Sequence, residues 1–342
     1  MTALRRRETG GVMADQTRTV PEVLKLDAAA EIQRIVEFVR DTILRSFRRR
    51  GAVVALSGGI DSSVVAALCV QALGRERVFG LMLPERESSD ETRELSRTIV
   101  EHLGIPYAQE DITPILEGAG CYRRRDEAIR SVVPEYGEGY RCKIVLPSLV
   151  DTDRLRVFSA VVRTPDGREL KARLNTEAYL GVVASTNFKQ RSRKMLEYYH
   201  ADRLAYAVAG TPNRLEYELG FFVKNGDGAA DCKPIAHLYK SQVYQLADAL
   251  GLPEQIRSRP PTTDTYSLPQ TQEEFYFALP FDKMDVCLYG RDKGLAPARV
   301  AAMIDLSAEQ VERIYRDIDA KRSVTRYLVA QPAILEVDEE RR

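Results

Sequence analysis

Apolar residues recur along the chain in two rhythms, short β-branched runs and longer stretches with helical spacing, and their alternation predicts an α/β protein. Ile32, Ile35, Val36, Val39, Ile43 and Leu44 share one face of a first helix, which Asp27 would cap and Gly51 would stop near Arg50. Residues 53–56 then read as a buried strand and 60–73 as a helix. A second strand over 78–83 ends at Pro84, a helix entered through Ser88, Ser89 and Asp90 closes at Gly104, and a third strand spans 107–112. This β-α-β-α-β order implies a doubly wound parallel sheet with helices on both faces, whose ligands sit at the carboxyl ends of the strands.

From about residue 115 to 176 the alternation breaks. Residues 121–132 are polar with helical spacing, whereas 143–150 and 155–174 are β-rich, with Thr164-Pro165-Asp166-Gly167 as a hairpin turn. The stretch reads as an inserted β-rich subdomain, either a surface elaboration or oligomer contact, or a lid over the ligand face. The alternation resumes with an arginine-studded helix over 187–201, a short strand over 204–209 and a helix opened by Lys240. The expected organisation is a tail at 1–22, one part of the main domain at 23–114, the insertion at 115–176, the second part at 177–330 and a terminal segment at 331–342. Met13 is either an alternative start or a tail residue. Residues 295–314 read as two short helices joined by a turn; acidic Glu309 and Glu312 on the second favour packing over DNA recognition.

Composition narrows the function classes. With 50 Lys+Arg against 50 Asp+Glu the formal charge is zero, so no global field recruits nucleic acid or an anionic membrane. No apolar run approaches the roughly 18 residues of a membrane span, and no hydrophobic segment follows the Arg5-Arg6-Arg7 cluster. Five cysteines with no C-x-x-C pair suggest reduced thiols and a cytoplasmic chain. His102, His200 and His237 are too widely separated to form a metal site by spacing, and Tyr198 and Tyr199 read as packing aromatics.

The candidate chemistry begins where the first strand ends. Ser57-Gly58-Gly59 leaves no room for bulk, so backbone N–H groups can converge on an anion, with hydroxyls from Ser57, Ser62 and Ser63 and the N-terminal dipole of the next helix as further support. Asp61 inside such a turn makes sense if a divalent cation shares the site. No Gly-Lys-Ser/Thr triplet follows, so the turn is not a Walker A loop; it resembles the SGGxDS loop of the ATP pyrophosphatases. A second polar series runs from Gly210 to Lys240, with Thr211, Glu216, Lys224, Asp227 between two glycines, and Asp231; Lys240 opens a helix, where a cation opposes the dipole.

Together these blocks resemble the synthetase domain of the NAD synthetase family, over about 24–115 and 187–318. The resemblance is carried by SGGIDSS, by G-T-x-N-x-x-E and K-x-G-D-G-x-x-D-x-x-P-x-x-x-L-x-K within 210–240, by N-x-x-x-R-x-R at Asn187, Arg191 and Arg193, and by Leu250-Gly251-Leu252-Pro253 followed by Pro261-Thr262. It implies an adenine nucleotide alpha hydrolase-like fold and an ammonia-dependent carbon–nitrogen ligase. ATP would adenylate the carboxylate of deamido-NAD, and ammonia would displace AMP. The resemblance places ATP on Leu56, Ser57, Gly58, Gly59, Ile60, Asp61, Ser62, Ser63, Arg193, Thr211, Lys240 and Thr262. Mg²⁺ falls on Asp61 and Glu216, the dinucleotide on Arg191, Lys224, Asp227 and Asp231, and charge neutralisation on Lys240 and Arg193 with Asp61. It further implies a homodimer, and free ammonia or a separate glutaminase as nitrogen source. The chain departs from the family where Lys321-Arg322 only partly matches a terminal His-Lys-Arg segment, near Glu85 to Ser89, and in the length of 115–176. A same-fold ligase for another carboxylate and a non-catalytic ATP-binding module are the alternatives.

Overall fold

Asp27 accepts a hydrogen bond from the Ala30 amide at 3.1 Å and so opens α1 (Ala28–Arg40), which buries Ile35, Val36 and Val39. The helix continues as a π-turn through Ser46 and breaks at Arg48, whose φ is 52°. Gly51 therefore does not stop it. A Cβ at Gly51 would lie 2.2 Å from the Arg77 carbonyl oxygen, so this glycine serves the close approach of two chain segments beneath the sheet.

The computed structural model describes residues 21–147, 157–263 and 265–335. After α1 come β1 (Ala52–Ala55), α2 (Ile60–Leu73), β2 (Val78–Met82), α3 (Asp90–Leu103) and β3 (Tyr107–Gln109). The strands are shorter than the apolar runs because only part of each run pairs in the sheet. Ser89 caps α3 through the Thr92 amide, and Gly104 ends it at φ 61°.

The 115–176 stretch contributes α4 (Thr113–Gly118), α5 (Cys121–Arg130), β4 (Arg141–Val145), β5 (Ser159–Arg163) and β6 (Glu169–Arg173). The three strands form an antiparallel sheet in the order β4-β5-β6. The β5–β6 hairpin closes at the expected turn, where the Gly167 amide donates to the Thr164 carbonyl at 3.0 Å. Part of the β-rich expectation, 148–156, lies outside the described residues.

α6 (Thr176–Leu204) is far longer than the expected helix over 187–201. Asn175 caps it through the Ala178 amide at 2.8 Å, and the apolar stretch from 178 to 186, which resembles strand, becomes helical because Ala178 and Val182 pack beneath the β4-β5-β6 sheet. The helix also absorbs the start of the expected strand 204–209, leaving β7 (Ala207–Val208). The remaining elements are α7 (Arg214–Leu219), α8 (Lys240–Ala249), α9 (Glu254–Arg257), α10 (Phe281–Asp292), α11 (Pro297–Ile304) and α12 (Ala308–Val329).

β1, β2, β3 and β7 make one parallel sheet in the order β3-β2-β1-β7. Alternate strand residues serve opposite cores: Val54 packs with Val39, Val64, Leu68 and Val243, whereas Val53 and Leu81 pack with Ile112, Leu116 and Ala201. The sheet is therefore covered on both faces. Residues 295–314 bury Val300, Ile304, Val311 and Ile314 in a third core with Met284 and Leu288, which gives this helix pair its packing role.

Candidate functional site

The carboxyl end of β1 turns through Ser57-Gly58-Gly59 into α2, which starts at Ile60. Gly58 has φ 65°, and a Cβ on it would lie 2.7 Å from Leu95 Cβ, so the turn packs tightly on α3. The Ser62 and Ser63 hydroxyls donate to the Gly59 carbonyl at 3.0 and 2.8 Å. Ser62 still borders the cleft described below; Ser63 and Gly58 do not.

Asp61, one residue inside α2, meets two separate elements. One carboxylate oxygen accepts from the Asn213 side-chain amide at 3.0 Å, and the other from the Lys240 ammonium. Asn213 also caps α7 in a reciprocal box with Glu216: its backbone amide donates to Glu216 at 3.2 Å, and the Glu216 amide donates to its side-chain oxygen at 3.2 Å. The G-T-x-N-x-x-E spacing is thus a helix cap whose asparagine ties Glu216 to Asp61. The second Glu216 oxygen accepts from Gln272 at 3.1 Å. Burial, and then the neighbouring Asp61 carboxylate, push Glu216 up to about 8. Burial disfavours the charge on Lys240, but Asp61 and Glu216 outweigh it and hold its pKa above the usual lysine range. Asp285 accepts from the Ser241 amide at 2.7 Å and thereby fixes the start of α8, on which Lys240 stands.

These groups line one side of a cleft of about 980 Å³ above the parallel sheet. Of the residues expected from sequence it gathers Leu56, Ser57, Gly59, Ile60, Asp61, Ser62, Arg191, Arg193, Thr211, Glu216, Lys224, Asp227, Lys240 and Thr262. Asp231 lies outside its lining. The Asp231 carboxylate accepts from the Val208 amide at 2.7 Å and the Tyr198 hydroxyl at 3.2 Å, anchoring the short strand β7. Arg193 donates to the Leu83 carbonyl at 3.2 Å, Arg191 to the Lys224 carbonyl at 3.2 Å, and Asp227 accepts from the Val223 amide at 2.7 Å. Burial raises the Asp227 pKa.

Other cleft residues carry no sequence signal strong enough to name them. Lys194 and Glu197 form a buried ion pair at 2.6 Å, and Arg259 reaches back to the phosphate turn. One signal was available for part of this set: Lys189, Arg193 and Glu197 recur every four residues and therefore share a face of α6. The segment that leads into β5 also reaches the cleft, through Phe158 beside Tyr179, Val183 and Phe275.

The two local departures from the family pattern have structural explanations. Lys321 donates to the Tyr276 carbonyl at 2.9 Å and pairs with Asp317, while Arg322 pairs with Glu218 and Asp292, so both are spent on packing α12. The cleft instead meets α12 at Val324, Tyr327 and Leu328, with the Lys224 ammonium donating to the Tyr327 carbonyl at 2.9 Å. Near 85–89, Glu85 and Glu87 turn into a buried network with Lys189, and Arg86 stacks on the Tyr122 ring at 3.4 Å.

Comparison with known proteins places this geometry among relatives. Residues 31–130 and 165–325 match the model of the NAD synthase family. The NH(3)-dependent NAD(+) synthetase of Mesorhizobium japonicum is 56% identical over 312 residues, 91% of this chain and 98% of that protein. That of Rhizobium meliloti is 55% identical over 331 residues, 96% and 99% of the two chains. Among solved structures, the fold is similar to an NMN synthetase from Francisella tularensis (TM-score 0.63, 22% identity, 92% of this chain and all of that one). It is likewise similar to an NH3-dependent NAD synthetase from Campylobacter jejuni (TM-score 0.60, 21% identity, 91% of this chain and all of that one). Because the family model spans both arms of the parallel sheet and the near relatives align almost end to end, this chain belongs to the NAD synthase family.

Proposed function

We infer that the chain amidates deamido-NAD: the carboxylate attacks the α-phosphate of ATP, diphosphate leaves, and ammonia displaces AMP from the acyl-adenylate to give NAD. The observation that carries this reading is the meeting of Asp61, Asn213, Glu216 and Lys240 beside the Ser57–Gly59 turn, four side chains from three separate segments. Backbone amides of the turn and the start of α2 suit the phosphates. Lys240 and Arg193 are disposed to neutralise charge that grows on the leaving group, while Thr211 and Thr262 border the nucleotide space. Arg191, Lys224 and Asp227 line the same cleft and would meet the dinucleotide, while Asp231 holds β7.

Mg²⁺ fits the donor set. Two carboxylates share one lysine, and Glu216 is driven toward its neutral form by burial and by Asp61, a conflict that a divalent cation relieves. Among the described residues no three His, Cys, Asp or Glu side chains gather as a metal cluster. A magnesium ion bound with substrate needs only one or two protein carboxylates, because phosphate oxygens and waters complete its shell. Asp61 and Glu216 would hold it, and it would polarise the α-phosphate.

The test is release of diphosphate and formation of NAD by the purified protein with ATP, Mg²⁺, ammonium and deamido-NAD. Both products are expected, and both should vanish without Mg²⁺ or with Asp61→Ala or Glu216→Ala in a folded protein. Diphosphate release only with another carboxylate would reassign the substrate. No release across a carboxylate panel would leave an ATP-binding module.

We extend the proposal to a cytoplasmic homodimer. All five cysteines are free and buried, in keeping with a reducing compartment, and among the described residues no helix is long and apolar enough to cross a membrane. Leu180, Met195 and Tyr199 on α6 are more than half exposed, an apolar stripe suited to a second copy. Sedimentation should give about twice the chain mass, and a monomer at micromolar concentration would refute the dimer.

A further inference from the structure

Arg259 has no place in the motifs that mark the site, yet its surroundings are those of an anion-binding group. It follows α9 and precedes Pro260-Pro261, two residues with fixed φ that present it rigidly. Its side chain is only 10% exposed and borders the cleft. One terminal nitrogen donates to the Gly58 carbonyl at 3.4 Å and the other to the Thr92 hydroxyl at 3.0 Å. The buried Nε–H has no hydrogen-bond partner among the described residues. A guanidinium carries five N–H donors, so this one, almost withdrawn from water, is incompletely satisfied where it stands. Glu91, at 3.6 Å and 66% exposed, neutralises it only weakly through solvent.

The buried lysines around the cleft are each paired with carboxylates. Lys240 pairs with Asp61, Lys194 with Glu197, and Lys189 with Glu85 and Glu87. Arg259 is thus the guanidinium that touches the phosphate turn itself, on the side where α3 packs against it. By engaging the Gly58 carbonyl it also keeps that oxygen turned toward a cation, which leaves the amides of the turn to face an incoming anion.

We propose that Arg259 binds the diphosphate end of ATP and carries part of the charge that passes to the leaving diphosphate. Its planar fork matches two phosphate oxygens at once, which an ammonium cannot do. The assignment rests on the ATP site inferred above. It is separable from that site because it concerns diphosphate and not the nucleoside.

The experiment compares inhibition of the full-length enzyme by inorganic diphosphate and by AMP, with Arg259→Gln and Arg259→Lys beside the unaltered protein. In Arg259→Gln the inhibition constant for diphosphate should rise about 30- to 100-fold and the KM for ATP about tenfold, with AMP and deamido-NAD within twofold. Arg259→Lys should recover part of the diphosphate loss. An unchanged diphosphate constant overturns the proposal. So does an equal weakening of diphosphate and AMP without rescue by lysine, which would make Arg259 a tie between the turn and α3. Should Arg259→Gln fail to fold, Arg259→Lys decides alone: a selective diphosphate loss of fivefold or more supports the proposal, and no selective loss overturns it. Unaltered enzyme inhibited by neither ligand would refute the ATP site and this assignment with it.

Discussion

Lys240→Met is expected to lower kcat for NAD formation by about 10²–10³, the scale set by removing one preorganised charge from a transition state. Lys240 is 2% exposed, its ammonium is held by Asp61, and it stands at the first position of α8, where the helix dipole disfavours a cation. A lysine kept there against burial and dipole is stabilised by Asp61 and Glu216 together, and it stays charged across the working pH range. Methionine preserves length and packing but leaves the two carboxylates facing each other. Substrate binding should suffer less than turnover, because the charge that Lys240 opposes grows only as diphosphate departs. Lys240→Arg keeps the charge yet needs more room than this buried site offers, so its activity should fall between the two. Saturating steady-state rates with circular dichroism of each variant provide the check. A kcat within fivefold of the unaltered enzyme would remove Lys240 from the chemistry.

Much of this site was legible in the sequence because its parts are local. A strand, a turn too tight for side chains and a helix occupy consecutive residues, so Ser57 to Ser62 could be placed without knowing the rest of the fold. The 210–240 block was legible for a related reason: Asn213 and Glu216 are spaced as a helix cap, and a cap is a short-range device. Spacing conveys position but not the direction of a side chain. Ser63 and Asp231 therefore sit in matching patterns and yet turn away, one to the Gly59 carbonyl and the other to the Val208 amide.

Long-range pairings left no comparable trace. Lys189 and Glu85 are 104 positions apart, and Arg259 and Gly58 are 201 apart, so nothing in either neighbourhood announces the contact. Helix length failed for another reason. The apolar residues from 178 to 186 have mixed propensities, and only the antiparallel β4-β5-β6 sheet packed above them selects helix over strand. That sheet is itself an antiparallel unit held by long-range packing on α5 and α6, which explains why its hairpin was readable and its relation to the cleft was not.

Lys189→Met should be the most destabilising single change around the cleft, by about 3–5 kcal/mol, because it strips the cation from a buried network. Lys189 donates to Glu85 at 2.9 Å, Glu87 at 2.7 Å and the Thr265 carbonyl at 2.8 Å, which uses all three of its N–H groups. Glu85 is left with the Tyr122 hydroxyl at 2.6 Å, and Glu87 with Arg125 at 2.7 Å. The melting temperature should fall by roughly 6–10 °C at pH 7.5, taking about 2 °C per kcal/mol for a chain of this size. The deficit should depend on pH in a defined direction. Burial raises the Glu87 pKa, but Lys189 and Arg125 more than reverse it and hold the group below its ordinary 4.5. A depressed carboxylate stabilises the fold above its unfolded pKa and loses that contribution as pH falls through the folded value. In the variant Glu87 keeps only Arg125 and is held down less, so it takes up its proton sooner and escapes part of the cost of buried charge. The gap between the two proteins should accordingly narrow below about pH 4.5. A melting point within 2 °C of the unaltered protein at neutral pH would show that the network is dispensable. A gap that widens on acidification would show that something other than Glu87 carries it. Because Pro84 and Ser88 border the cleft on the same loop, the KM for ATP should rise with the loss of stability, coupling this buried lysine to the nucleotide site through the loop that it anchors.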